Sequence, residues 1–305
     1  MIKINSILVT SLFLSILLAS TVGCAQTATP SAPTLASTIT STPTPTPTPT
    51  PDVASIVWTK PGVPVTLTVD IAAYRATYKS GSMDISGYFY RPPGTGPFPA
   101  VLILHGASGL QQSIAAKASW LALQGYIAFA PDYFTPIGVA GGAWTGPSYK
   151  QYTDQIRQIL GDGLEALTSL SYVDSTHLGA MGFSLGGYYA AILGTRNDVK
   201  GIVSYYGAFT GPPINQNPVT YTPVEIANQM RASVLMFQGD ADQLVPIANA
   251  NVMANLLTSA GKDCQYVVYP GAQHTFDATS GPTANPQAAA DANQKSITFL
   301  QAKLR

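Results

Sequence analysis

The chain has 305 residues, 46% of them apolar and 10% charged, with a formal net charge of zero. That balance excludes a basic nucleic-acid surface and argues against electrostatic steering of strongly charged substrates. Length alone allows one or two domains.

The first 51 residues read as lying outside the fold. Lys3 precedes an apolar run over 7–19, which ends in Ser20-Thr21-Val22-Gly23-Cys24. This is the charged start and apolar middle of an export signal, and the run is shorter than the roughly 20 residues of a membrane-spanning helix. Val22-Gly23-Cys24 resembles the bacterial lipoprotein box, in which the cysteine is lipidated and becomes the new N-terminus. Thr21 stands where leucine is usual, and ordinary cleavage near Ala25 is the alternative. Residues 24–55 are rich in Thr, Ser, Pro and Ala, with a Thr-Pro repeat over 42–51. Such a segment builds no core and is expected to be extended polyproline II, a stalk reaching on the order of 100 Å at about 3.1 Å per residue. Its threonines suit O-glycosylation. The expected organisation is a signal over 1–23, a linker over 24–55 and a folded domain over 56–305. If Cys24 carries lipid, Cys264 has no partner, so a buried thiol and no disulfide are expected, although an exported chain is permitted one. Three scattered histidines and one spare cysteine make no zinc site.

Within the domain, strands alternate with helices. Residues 85–91 alternate with aromatics and read as an early antiparallel strand, and 92–97 as a turn. Residues 101–104 are a buried strand, followed by the Gly-rich loop His105-Gly106-Ala107-Ser108-Gly109-Leu110. A helix is expected over 113–124, a short strand over 126–130 and a long amphipathic helix over 149–170 that tolerates Gly161 and Gly163. Next comes Gly182-Phe183-Ser184-Leu185-Gly186, the G-x-S-x-G pattern, between an apolar strand over 178–181 and a small-residue helix over 186–193. A serine needs this sharp strand-to-helix turn to stand clear of its own backbone, and the flanking glycines fit where side chains would collide. The following helix aims its positive end at a developing oxyanion.

Strands over 201–205 and 234–237 follow, the second running into Gly239-Asp240-Ala241-Asp242. A carboxylate just past a strand end is where the acid of a Ser-His-Asp triad sits. Asp242 is the choice and Asp240 the rival; either also suits a turn or cap ahead of a helix near Pro246. A last strand over 264–269 leads to Pro270-Gly271-Ala272-Gln273-His274, and a final helix is expected over 285–304. His274 is the general base by chain order. His177 reads as a surface turn residue and His105 as a structural one that bonds its loop backbone. The oxyanion hole needs two backbone N–H groups, assigned to Leu185 and Ala107, with Gly106 as the alternative to Ala107. The fold class is therefore α/β, a mostly parallel sheet with helices on both faces, with every named motif at the carboxyl ends of strands. Two longer connections, residues 134–149, rich in Gly and aromatics with Trp144, and residues 206–222 with Gly, Pro, Asn and Tyr221, are expected to wall the pocket.

These residues resemble the dienelactone hydrolase family of the α/β-hydrolase superfamily over roughly residues 65–304. The resemblance rests on Gly182-Phe183-Ser184-Leu185-Gly186-Gly187, on residues 239–246 with Asp242, on Gly271-Ala272-Gln273-His274-Thr275-Phe276, and on Phe98-Pro99-Ala100-Val101. It implies an α/β-hydrolase fold and ester or lactone hydrolysis. The chain departs from the family pattern three times: Ser184 stands for the nucleophilic cysteine, His105-Gly106 for a loop glutamate, and Asp277-Ala278-Thr279 for a stretch carrying a carboxylate-binding arginine. Dienelactone is thus not the expected substrate. The expectation is an exported, lipid-anchored serine esterase that needs no cofactor and acts on a small-molecule or polymer ester, with oligomeric state left open. A peptidase or acyl-transferase on the same triad, or a non-catalytic envelope binding protein, are the alternatives.

Overall fold

The computed structural model describes residues 21–23, 58, 65–70, 74–142, 146–210 and 221–305. Among these, the strands are β1 (Thr21–Gly23), β2 (Thr68–Asp70), β3 (Arg75–Ser80), β4 (Met83–Tyr90), β5 (Phe98–Leu104), β6 (Ile127–Pro131), β7 (Val173–Phe183), β8 (Val199–Tyr205), β9 (Ser233–Gly239) and β10 (Cys264–Tyr269). They form one sheet in the order β1-β10-β9-β8-β7-β5-β6-β4-β3-β2. The run from β10 to β6 is parallel, and β4, β3 and β2 extend it antiparallel at one side. The helices are α1 (Gln112–Leu123), α2 (Gly146–Thr168), α3 (Leu185–Leu193), α4 (Ile247–Ser259) and α5 (Pro286–Leu304).

Successive side chains of a strand point to opposite faces, and here both faces are covered. Val101 and Ile103 of β5 pack with Ile114, Ala118 and Leu121 of α1 and with Phe299 and Leu300 of α5. Leu102 and Leu104 pack on the other face with Ile156 and Ile159 of α2, with α3, and with Met253 and Leu257 of α4. Each such aliphatic burial is worth about 1.5–3 kcal/mol, which is why the central strands read as unbroken apolar runs rather than as alternation. Gly163 in α2 lets the helix lie close on β3: a Cβ there would stand 2.9 Å from the Tyr78 hydroxyl, which itself donates to the Ile159 carbonyl at 2.7 Å.

The connection from β5 through α1 goes to β6 on one side, and the chain then returns through α2 to β7 on the other side of β5. The strand order thus reverses between β5 and β7, the place in an open α/β sheet where ligands bind, outside the carboxyl ends of the strands.

Several expectations shift. The strand expected at 101–104 begins at Phe98, and the helix expected over 149–170 begins at Gly146. The final helix has Asn285 as N-cap, its side chain accepting from the Ala288 N–H at 3.1 Å. His177 lies inside β7 rather than in a turn, with Nδ1 2.7 Å from Asp174 at the surface. The first 51 residues are not wholly outside the sheet: Thr21–Gly23 pairs antiparallel with β10. An edge strand offers unpaired N–H and C=O groups to any extended segment that reaches it. Cys264 is disulfide-bonded, which corrects the expectation of an unpaired thiol. The chain's other cysteine is Cys24, and it lies outside the described residues, as do most of the signal and linker.

Candidate active site

Ser184 follows β7 directly, with φ 54° and ψ −114°. A non-glycine residue rarely adopts such a backbone, and here its surroundings hold it. Its N–H donates to the Tyr205 carbonyl at 2.9 Å, and its own carbonyl accepts from the N–H groups of Gly187 and Ala208 at 2.9 and 3.2 Å. The glycines around it are sterically required. A Cβ on Gly182 would meet the Gly186 carbonyl oxygen at 2.0 Å, and one on Gly186 would meet that of Leu104 at 2.0 Å. The crossing of β7, α3 and the end of β5 is too tight for any side chain at either place.

His274, in the loop after β10, reaches Ser184 across 90 positions of sequence: Nε2 and the serine Oγ are 3.0 Å apart. Its Nδ1 lies 2.7 Å from Asp242 Oδ2. An ionised carboxylate only accepts, so Nδ1–H donates to Asp242, and neutral His274 keeps its Nε2 lone pair for the serine hydroxyl. Asp242 is buried, and its other oxygen, Oδ1, accepts from the N–H groups of Leu244 and Val245 at 2.9 and 2.8 Å. Burial pushes this carboxyl up, but the bonds from His274, Val245 and Leu244 outweigh it and hold the group below the usual carboxylate range. Asp242 thus shapes the turn and also faces the histidine. Asp240 is exposed and spends Oδ1 on the Gly271 N–H. The cap of α4 is Pro246, not an aspartate.

The loop after β5 lies against Ser184: a Cβ on Gly106 would be 3.4 Å from Ser184 Cβ. Ala107 accepts at its carbonyl from the Gly142 N–H at 2.8 Å, so the connection after β6 braces this loop from outside. Leu185 opens α3, and the first N–H groups of a helix have no partner in its own ladder. His105 is fully buried, with Nδ1 2.9 Å from the Gly106 carbonyl and its ring stacked 3.7 Å from that of Tyr133. Burial, only partly opposed by that bond, lowers its pKa to about 4, so it stays neutral. Trp144 and residues 211–220 of the two expected pocket walls lie outside the described residues.

A model of the dienelactone hydrolase family matches residues 85–304. The chain belongs to the dienelactone hydrolase family. A relative from Synechocystis sp. named as a carboxymethylenebutenolidase is 28% identical over 257 residues, which is 78% of this chain and all of the relative. One of the same name from Methylorubrum extorquens is 31% identical over 218 residues, 68% of this chain and 73% of the relative. The fold is shared with a solved structure named as a dienelactone hydrolase from Klebsiella pneumoniae, with a TM-score of 0.63 and 24% identity over 72% of this chain and 93% of that one.

In this dienelactone hydrolase family member the connection expected to wall the pocket over 206–222 begins with a residue whose part the sequence did not single out. Tyr206, just past β8, has φ 41° and is buried. Its ring lies 4.6 Å from the His274 imidazole, and its hydroxyl donates to Asp277 Oδ1 at 2.6 Å. Asp277 Oδ2 is 3.7 Å from the ammonium of Lys117 in α1. Burial, reinforced by the Asp277 charge, raises the Tyr206 phenol well above its ordinary value, so it remains a donor. Burial lowers Lys117, against the opposing pull of Asp277. Asp277 is thus occupied three residues past the histidine, in the stretch where the resemblance places an arginine. A Tyr-Tyr pair after a strand carries no signal of its own; only its place beside His274 does.

Proposed function

We propose that this hydrolase is a serine carboxylesterase in which Ser184, His274 and Asp242 act together. The observation that carries the reading is the continuous hydrogen-bonded chain from Ser184 Oγ through both ring nitrogens of His274 to Asp242. Ser184 Oγ attacks the ester carbonyl carbon as its proton passes to His274 Nε2. The carbonyl oxygen takes up the displaced electron pair and is stabilised by the N–H groups of Leu185 and Ala107. Collapse of this adduct breaks the bond to the alcohol, which leaves with the proton from His274. Water, deprotonated by His274, then attacks the acyl-enzyme and releases the carboxylic acid and Ser184. Asp242 orients the ring and balances the imidazolium charge. The chemistry calls for no cofactor.

The substrate is read as an uncharged ester. Asp277-Ala278-Thr279 supplies no cation for a carboxylate, and Asp277 is bonded to Tyr206. Residues 53–305 are expected to hydrolyse p-nitrophenyl acetate, butyrate and octanoate, with the chain-length profile sizing the pocket, and to act on dienelactone at least tenfold less efficiently, the order of a lost charged contact. Equal kcat/KM on dienelactone would refute the uncharged-substrate reading, and faster cleavage of peptide anilides would favour a peptidase.

For location, we infer an exported domain on a stalk, supported by residues 1–24 and the Thr-Pro repeat. Val22-Gly23-Cys24 supports lipidation of the Cys24 sulfur and tethering to the envelope, with simple secretion the alternative. Intact mass of the exported chain decides: a diacylglyceryl adduct on Cys24 is expected for the tethered form, and an unmodified chain beginning near Ala25 for the other.

A further inference from the structure

Gln238 is the penultimate residue of β9 and is wholly buried. Its Nε2 carries two hydrogens and faces three acceptors, Asp242 Oδ2 at 3.0 Å and the Val245 carbonyl at 2.9 Å, with the Gly239 carbonyl further off at 3.4 Å. The opposite amide orientation would set Oε1 against those same oxygens, so repulsion selects the donor. The consequence is that Oε1 is buried with no partner among the described residues. Burying an amide half satisfied is unfavourable, and a residue there only to fill space would be apolar, as Leu235, Met236 and Phe237 before it are. The two donated bonds are what the amide supplies.

The Asp242 oxygen that receives Gln238 is the one that receives His274. We propose that Gln238 is a positioning residue for Asp242, fixing its carboxylate rotamer and partly neutralising Oδ2, so that the imidazole is oriented without being over-stabilised in its protonated form. The inference rests on the Ser184–His274–Asp242 reading above. The other groups around the pair are accounted for. Asp242 Oδ1 faces the Leu244 and Val245 N–H groups, and Asp240 faces Gly271. His274 faces Ser184 and the Tyr206 ring, behind which stand Asp277 and Lys117.

Gln238→Met keeps the length and removes the donor. With less of its charge neutralised, Asp242 favours the imidazolium more strongly. A base must be neutral to act, so the acidic limb of kcat/KM on p-nitrophenyl butyrate is expected to move alkaline, by roughly half a pH unit or more, while kcat/KM falls about tenfold. NMR titration of the His274 ring, assigned with a His274→Gln control among three histidines, is expected to move in the same direction. That readout needs no turnover. An inactive wild type would therefore remove the esterase reading while the ring titration still tests Gln238. Activity within twofold and an unmoved titration would overturn the proposal. So would an acid-direction movement with lost activity, the mark of a collapsed Asp242–His274 contact. Gln238→Glu is the second variant: an added carboxylate beside Asp242 is expected to move the titration further alkaline, and if the Met variant does not fold this one is read by the same criteria.

Discussion

Ser184→Ala is expected to lower kcat/KM on p-nitrophenyl butyrate by about 10⁴-fold or more. The position facing His274 Nε2 is held by Ser184 Oγ at 3.0 Å. The fold should survive, because the side chain ends there while the turn is held by backbone bonds from Tyr205, Gly187 and Ala208. The same position stores strain. At φ 54° and ψ −114°, a residue with a Cβ costs about 1–3 kcal/mol, and glycine does not. Ser184→Gly is therefore expected to be inactive yet more stable than Ser184→Ala by about 1 kcal/mol after the entropy of glycine is counted. Urea midpoints and ester turnover on the two variants check both parts. An alanine variant that keeps a tenth of the activity would remove Ser184 as nucleophile.

Asp242→Asn carries the second large effect, about 10³–10⁴-fold in kcat/KM. Among the described residues the partners of the Asp242 carboxylate are donors: Leu244 and Val245 on one oxygen, His274 and Gln238 on the other. Whichever way an asparagine turns, its NH₂ meets donors. Turned toward His274, it selects the tautomer with Nδ1 accepting and Nε2 protonated, which cannot take a proton from Ser184. Turned away, it opposes two backbone N–H groups at a cost of about 1–3 kcal/mol. The pH dependence follows from the lowered carboxyl of Asp242. An acid whose folded pKa is depressed adds stability above its unfolded value of about 4 and loses it as pH falls through the folded value. The stability gap between wild type and variant should thus be full at pH 7 and shrink toward pH 3. A gap that is constant with pH would mean that the charge of Asp242 contributes nothing to folding.

Much of the fold was legible because its signals are local. The β10 bounds match the expected strand, and α1 and α3 differ from expectation by one residue at each boundary that moves. Apolar runs of strand length flanked by glycine and proline state their own ends. The antiparallel strands β2 and β3 were missed. Arg75–Ser80 mixes charged, hydroxyl and aromatic residues, and such a segment becomes a strand through pairing with β4 and through Tyr78 reaching α2, neither of which a short window contains.

The sequence by itself determined the elbow, its order with the later aspartates and histidine, and the placement of each at a strand's carboxyl end. These follow from glycine sterics and from short unbroken apolar runs, which act between near neighbours. Only the tertiary structure decided which aspartate faces His274, that Tyr206 walls the imidazole, and that Gln238 stands behind the carboxylate. The reason is distance along the chain. Asp242 and Asp240 sit two residues apart in similar turns, and what separates them is whether His274, 32 positions on, or the Gly271 N–H arrives beside each. The same packing set Cys264 in a disulfide and Thr21–Gly23 on the sheet edge, where composition had pointed to a bare thiol and a detached leader. Partnership through space is a property of the closed sheet, and no run of residues encodes it alone.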